Sequence, residues 1–86
     1  MDFLETPIDI AKQVSINFRK YRKKRHITMK ELSARSGVSY PSLKRFEYTG
    51  EISFTSLVKL AYILGAEDEI KALFSSPVPT SIEELF

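Results

Sequence analysis

The chain has 86 residues, 43% hydrophobic and 28% charged, with no cysteine and one histidine. A chain of this length buries roughly 60–65% of the surface it exposes when unfolded. That is enough for a small helical core, but not for a barrel enzyme or a doubly wound nucleotide-binding sheet. Disulfide scaffolds, thiolate zinc sites, iron–sulfur clusters and histidine-based metal sites are excluded, and no cofactor is expected. The longest nearly apolar run, residues 57–64, is broken by Lys59 and is too short to span a bilayer. The acidic N-terminus has the wrong sign for a secretion signal, so a cytoplasmic protein is expected.

The net charge of +2 conceals a strong asymmetry. Residues 12–45 carry eleven Lys or Arg against the single acid Glu31, a local charge of +10. The first eleven residues carry three acids and no base. Residues 46–86 carry seven acids against Lys59 and Lys71. A basic block of this density points to a polyanionic partner; the competing account is a solvated lysine-rich face.

In chain order, Thr6-Pro7-Ile8-Asp9 is a helix start, with Thr6 as N-cap, proline in the first turn and an acid at the positive end of the dipole. Ile10, Val14, Phe18 and Tyr21 follow as one apolar stripe, and this helix should end near His26, which meets its dipole. Thr28-Met29-Lys30-Glu31 reads as a capping box opening a short second helix with Leu32 inward, stopped by Gly37. Ser39 caps a third helix, with Pro41 in its first turn, Leu43 and Phe46 inward, and Thr49-Gly50 at its end. Ser53 or Thr55 caps a fourth, burying Leu57, Leu60, Ala61 and Leu64 and ending at Gly65. Glu67, Asp68 and Glu69 fill the first turn of a fifth, whose apolar face is Ile70, Leu73 and Phe74. Pro77 and Pro79 then force an extended break, before a second capping box at Ser81-Ile82-Glu83-Glu84. The expected fold is all-α, without strands. Residues 1–74 form the domain, with its core at about 10–65, and residues 75–86 form a C-terminal tail. Phe3 and Leu4 either fold onto the core or extend a dimer contact.

The segment 28–47 is the most informative. It reads as a capped helix, a glycine-centred turn and a serine-capped helix, the arrangement in which the second helix enters a DNA major groove. The turn needs a residue tolerant of positive φ, here Gly37. The helices need apolar contacts between them, here Leu32, Val38 and Leu43. The start of the second helix must offer unpaired N–H groups to a phosphate.

The run from Tyr21 through Leu32, then Gly37-Val38-Ser39, Leu43, Phe46-Glu47, Leu57-Val58-Lys59-Leu60-Ala61 and Leu64-Gly65, resembles the Cro/repressor-type helix-turn-helix domain, the XRE family. The resemblance covers roughly residues 10–65. It implies a compact, five-helix, lambda-repressor-like domain that binds DNA to regulate transcription, most simply as a repressor. Residues 40–48 correspond to the recognition helix, with Tyr40, Pro41, Lys44 and Arg45 as base-reading candidates. Lys44 or Arg45 would donate to guanine O6 and N7. Arg19, Lys23, Thr28, Lys30, Ser39 and Ser42 are the phosphate-contacting candidates. The family often pairs an arginine of the first helix with a glutamate of the recognition helix, here Arg22 and Glu47.

Three departures from the family pattern stand out. Met29 occupies a position that is glutamine, a phosphate contact, in many relatives. Ser33 and Ser36 make the second helix less apolar than usual, and Glu51 lies where several relatives are basic. The tail from Leu73 to Phe86 is similar to those of small antitoxin-like regulators of HipB type, which bind an operator and a kinase-like, HipA-like toxin. The expected partners are therefore double-stranded DNA with a palindromic operator, a second copy of the chain as a homodimer, and a toxin protein; no membrane is expected. An enzyme is not expected, since there is no phosphate-binding loop, nucleophile elbow or paired carboxylate in an evident cleft. The alternative is an interaction adaptor that keeps the fold without binding DNA, supported by Met29, Glu51 and the acidic C-terminal half. The dimer surface is expected on the fourth and fifth helices, around Tyr62, Ile63 and Phe74.

Overall fold

A computed structural model describes residues 4–77. It contains five helices and, among the described residues, no strand: α1 Pro7–Lys24, α2 Met29–Ser36, α3 Tyr40–Thr49, α4 Phe54–Ile63 and α5 Glu67–Lys71. The capping box expected at residues 81–84 lies outside the described residues. Four helices begin on hydroxyl caps in the predicted places. Thr6 and Asp9 exchange side-chain-to-backbone hydrogen bonds, a complete capping box at α1. At α2 only half of the expected box forms. Thr28 Oγ1 accepts from the Glu31 N–H at 3.0 Å, while the Glu31 carboxylate turns to Arg35 at 3.5 Å. Ser39 and Ser53 cap α3 and α4. α5 begins at Ala66 with no side-chain cap; its three first-turn acids and Lys71 in its last turn complement its dipole.

Leu32, Val38, Leu43, Phe46, Leu60 and Leu64 form the buried core, with Phe18, Tyr21, Ile27, Ile52 and Leu57 packed around it. Phe18 meets Phe46 edge to face, with ring centroids 5.1 Å apart. α1 packs on α3, α2 on both α3 and α4, and α5 on α4.

The inward face of α1 differs from the expected stripe. Phe18 and Tyr21 of that stripe do pack against the core, but Ala11, Ser15 and Arg22 turn inward in place of Ile10 and Val14. Ser15 and Arg22 are buried, while Ile10 remains 51% and Val14 45% exposed. The reason lies at the crossing with the end of α3. Gly50 has φ +83°, and a Cβ there would stand 2.6 Å from the Ala11 carbonyl carbon. Two backbones this close leave room only for Gly, Ala and Ser, so the large apolar residues of this half-helix are turned aside. α1 ends at Lys24 with Arg25 as cap, and His26 takes a left-handed φ of +56°. At the other end of the chain, Leu73 and Phe74 were expected inward, yet Phe74 is 99% exposed. The helix stops at Lys71, one turn too soon to carry these residues back over α4.

Candidate nucleic-acid interface

The turn between α2 and α3 is built from hydroxyls. Gly37 adopts φ +79° with open space around it, so backbone conformation alone demands glycine. Ser33 Oγ donates to the Val38 carbonyl at 2.6 Å, and Ser36 Oγ accepts from the Val38 N–H at 3.1 Å. The two serines that make α2 less apolar thus fix the turn by hydrogen bonds, a role that the sequence pattern did not announce.

α3 divides cleanly. Leu43, Phe46 and Glu47 are buried, whereas Pro41, Ser42, Lys44, Arg45 and Tyr48 are exposed and Tyr40 is half-buried. Side chains four residues apart share one face, so Tyr40, Lys44 and Tyr48 form one outward column and Pro41 and Arg45 the next. At the start of α3, Ser39 Oγ accepts from the Ser42 N–H at 3.2 Å and donates to Ser42 Oγ at 2.9 Å. That arrangement leaves the Ser42 hydroxyl proton available to an outside acceptor. Thr28 and Lys30 are exposed at the start of α2.

The inner side of α3 is pinned by a buried ion pair. Arg22 Nε donates to Glu47 Oε2 at 2.7 Å and Nη2 to Oε1 at 3.0 Å; the two side chains are 9% and 5% exposed. Arg22 Nη1 also donates to the Ile27 carbonyl at 2.9 Å. One guanidinium therefore ties α1, the loop before α2, and α3 together. Met29 and Tyr48 line the cleft over this pair, with Arg19 and Lys23. Met29, in place of a polar residue, gives the cleft an apolar wall.

The candidate residues do not share one fate. Arg19 leans inward: its Nη2 lies 3.5 Å from the Glu47 carbonyl and its Nε 3.9 Å from Glu47 Oε1. Arg25 is also engaged, donating to Tyr21 Oη at 2.9 Å with its guanidinium over the ring. Arg45 forms an exposed ion pair with Glu51. Among the described residues, Lys23, Lys30 and Lys44 are exposed and form no ion pair. The +10 block is thus partly consumed by internal structure, and its lysines are what it presents to solvent. The sequence reading missed the neighbours of Arg45: with Ser42, Glu51, Ile52, Ser53 and Ser56 it lines a cleft of about 350 Å³ between α3 and the start of α4. The recurrent serines of residues 53–56 were visible, but not their approach to α3.

A capped helix, a left-handed glycine turn and a second helix with a polar outer face define a DNA-binding helix-turn-helix domain of lambda-repressor type. Comparison with known families leads to the same place. The helix-turn-helix family matches residues 18–69, and the chain belongs to that family, in its XRE-type branch of DNA-binding transcription regulators. The family's domain is a DNA-binding one and not an enzyme. No curated protein and no solved structure matches the chain. The family match begins at Phe18, so the half of α1 with exposed Ile10 and Val14 lies outside it. No helix among the described residues is long and apolar enough to cross a membrane.

Proposed function

We propose that the protein is a cytoplasmic, sequence-specific repressor that binds a palindromic operator as a homodimer, with α3 in the major groove. The observation that carries this reading is the division of α3. Its inner face is clamped by the Arg22–Glu47 pair, while Tyr40, Pro41, Lys44 and Arg45 stand outward together. In this reading Lys44 and Arg45 donate to guanine edges, and Tyr40 and Pro41 shape the apolar contact. Arg19, Lys23, Thr28, Lys30, Ser39 and Ser42 serve the phosphates. The two half-sites lie about one helical turn apart. Exposed Tyr62 on α4, with Leu73 and Phe74 just beyond α5, favours a dimer contact on that side of the domain.

The test is selection of bound duplexes from a randomised pool, followed by titration of Arg45→Ala. Loss of about 1–3 kcal/mol on the selected duplex, with the fold intact, is expected. Equal binding of the two proteins would remove Arg45 from the reading surface.

A second reading adds a protein partner. The domain ends at about residue 74, and residues 75–86 are a docking segment for a HipA-like, kinase-like toxin, as in HipB-like antitoxins. Phe74, fully exposed and followed in the sequence by a segment with Glu83 and Glu84, favours it. Co-purification with the product of an adjacent kinase-like gene, lost on deletion of residues 75–86, is the check. The adaptor alternative, in which the fold serves proteins and not DNA, predicts no salt-sensitive duplex binding at all.

A further inference from the structure

We propose that Glu51 is a selectivity residue of the DNA-reading surface: it holds the Arg45 guanidinium and reserves it for a base edge rather than a backbone phosphate. The inference rests on the reading of α3 as the helix in the groove. Its basis is a small closed circuit at the end of that helix. Arg45 Nη2 donates to Glu51 Oε1. The Arg45 carbonyl accepts from Thr49 Oγ1 at 2.7 Å, and Thr49 Oγ1 accepts from the Glu51 N–H at 3.1 Å. Glu51 is therefore joined to Arg45 twice, through its side chain and through Thr49. Between them Gly50 makes its left-handed turn close against the Ala11 backbone. The pair stands at the wall of the open cleft beside Ser42 and Ser53.

The charges then discriminate between ligands. A guanidinium carries more N–H donors than one carboxylate oxygen can occupy, so Arg45 can keep Glu51 and still donate to a neutral guanine edge. A phosphate is different, because it would compete with the carboxylate for the same cation and stand close to a second negative charge. Both side chains are well exposed, 68% and 63%, so the pair is weak and cannot lock Arg45. It biases where Arg45 goes. Non-specific binding runs almost entirely through phosphates, so the bias lowers non-specific affinity more than specific affinity.

The experiment compares wild type and Glu51→Gln on two duplexes, one recovered from a randomised pool by the wild type and a scrambled duplex of equal composition, across a salt series. Glu51→Gln should bind the scrambled duplex about three- to tenfold more tightly, with a log–log salt slope steeper by about 0.9, one further phosphate contact. Its affinity for the selected duplex should change less, so the ratio of the two falls. Combined with Arg45→Ala, the Glu51→Gln change should no longer alter base preference. Wild-type affinity and slope on the scrambled duplex, or equal weakening on both duplexes, overturns the role of Glu51 and leaves α3 as the reading helix. Failure of the wild type to select any sequence overturns both.

Discussion

Among the described residues, two Arg–Glu pairs on α3 are joined by side-chain hydrogen bonds, and they differ in almost everything except chemistry. Arg22–Glu47 is bidentate, buried, and supported by a third acceptor at Ile27. Arg45–Glu51 is a single contact between exposed side chains, joining the outer face of the helix to the loop after it. Burial decides what each can do. In a low-dielectric setting, losing one partner strands a charge without water, so the inner pair acts as an all-or-none fastener. At the surface, water replaces either partner cheaply, so the outer pair can only bias an orientation. One pair holds the helix, and the other adjusts what the helix presents.

The largest expected effect comes from breaking the inner pair on one side. Glu47→Ala should destabilise the fold by about 3–5 kcal/mol in chemical denaturation, because Arg22 is left buried and uncompensated. Replacing both partners, as in Arg22→Met with Glu47→Leu, should recover most of that loss, which separates a stranded charge from lost packing. Next in size is Gly50→Ala, which meets the Ala11 backbone as well as an unfavourable φ. A loss of about 2–4 kcal/mol in the same measurement is expected. Glu51→Ala should cost less than about 1 kcal/mol, the mark of an exposed pair; a loss as large as that of Glu47→Ala would erase the distinction between the two.

The smallest effect is a pH dependence at the start of α1. The Asp9 carboxyl is held below its ordinary value of 3.8, chiefly by the Thr6 backbone N–H, then by the Thr6 side chain, with a contribution from Lys12. A lowered folded value means this contact stabilises fully above the ordinary carboxylate value and is lost as pH falls through the depressed one. Amide exchange in the first turn of α1 should therefore accelerate at acid pH, and Asp9→Asn should remove that dependence.

Much of this was legible in the residues themselves. Caps and breaks at Thr6, Ser39, Gly37 and Gly50 placed the helices, because hydroxyl caps and left-handed glycines act through bonds only a few residues apart. The Arg22–Glu47 pair was legible only through family resemblance, since nothing in the local pattern of either helix calls for it. The inward stripe of α1 was legible at Phe18 and Tyr21 but not in its first half. Ile10 and Val14 are the more apolar residues, but the closeness of Gly50 to Ala11, a contact between distant parts of the chain, selects small ones instead. Leu73 and Phe74 misled for a related reason, since apolar spacing cannot tell where a short helix stops.

The sequence by itself determined the helical class, the order of the elements, the turn between α2 and α3, and the concentration of basic charge in the first half. These follow from local propensity, capping and composition. Only the tertiary structure decided which of those charges meet solvent. Packing α1 against α3 draws Arg19 and Arg22 onto Glu47, and the turn at Gly50 brings Glu51 to Arg45. A charge's role depends on what lies within a few ångströms of it, and here those neighbours come from elements far apart in the chain.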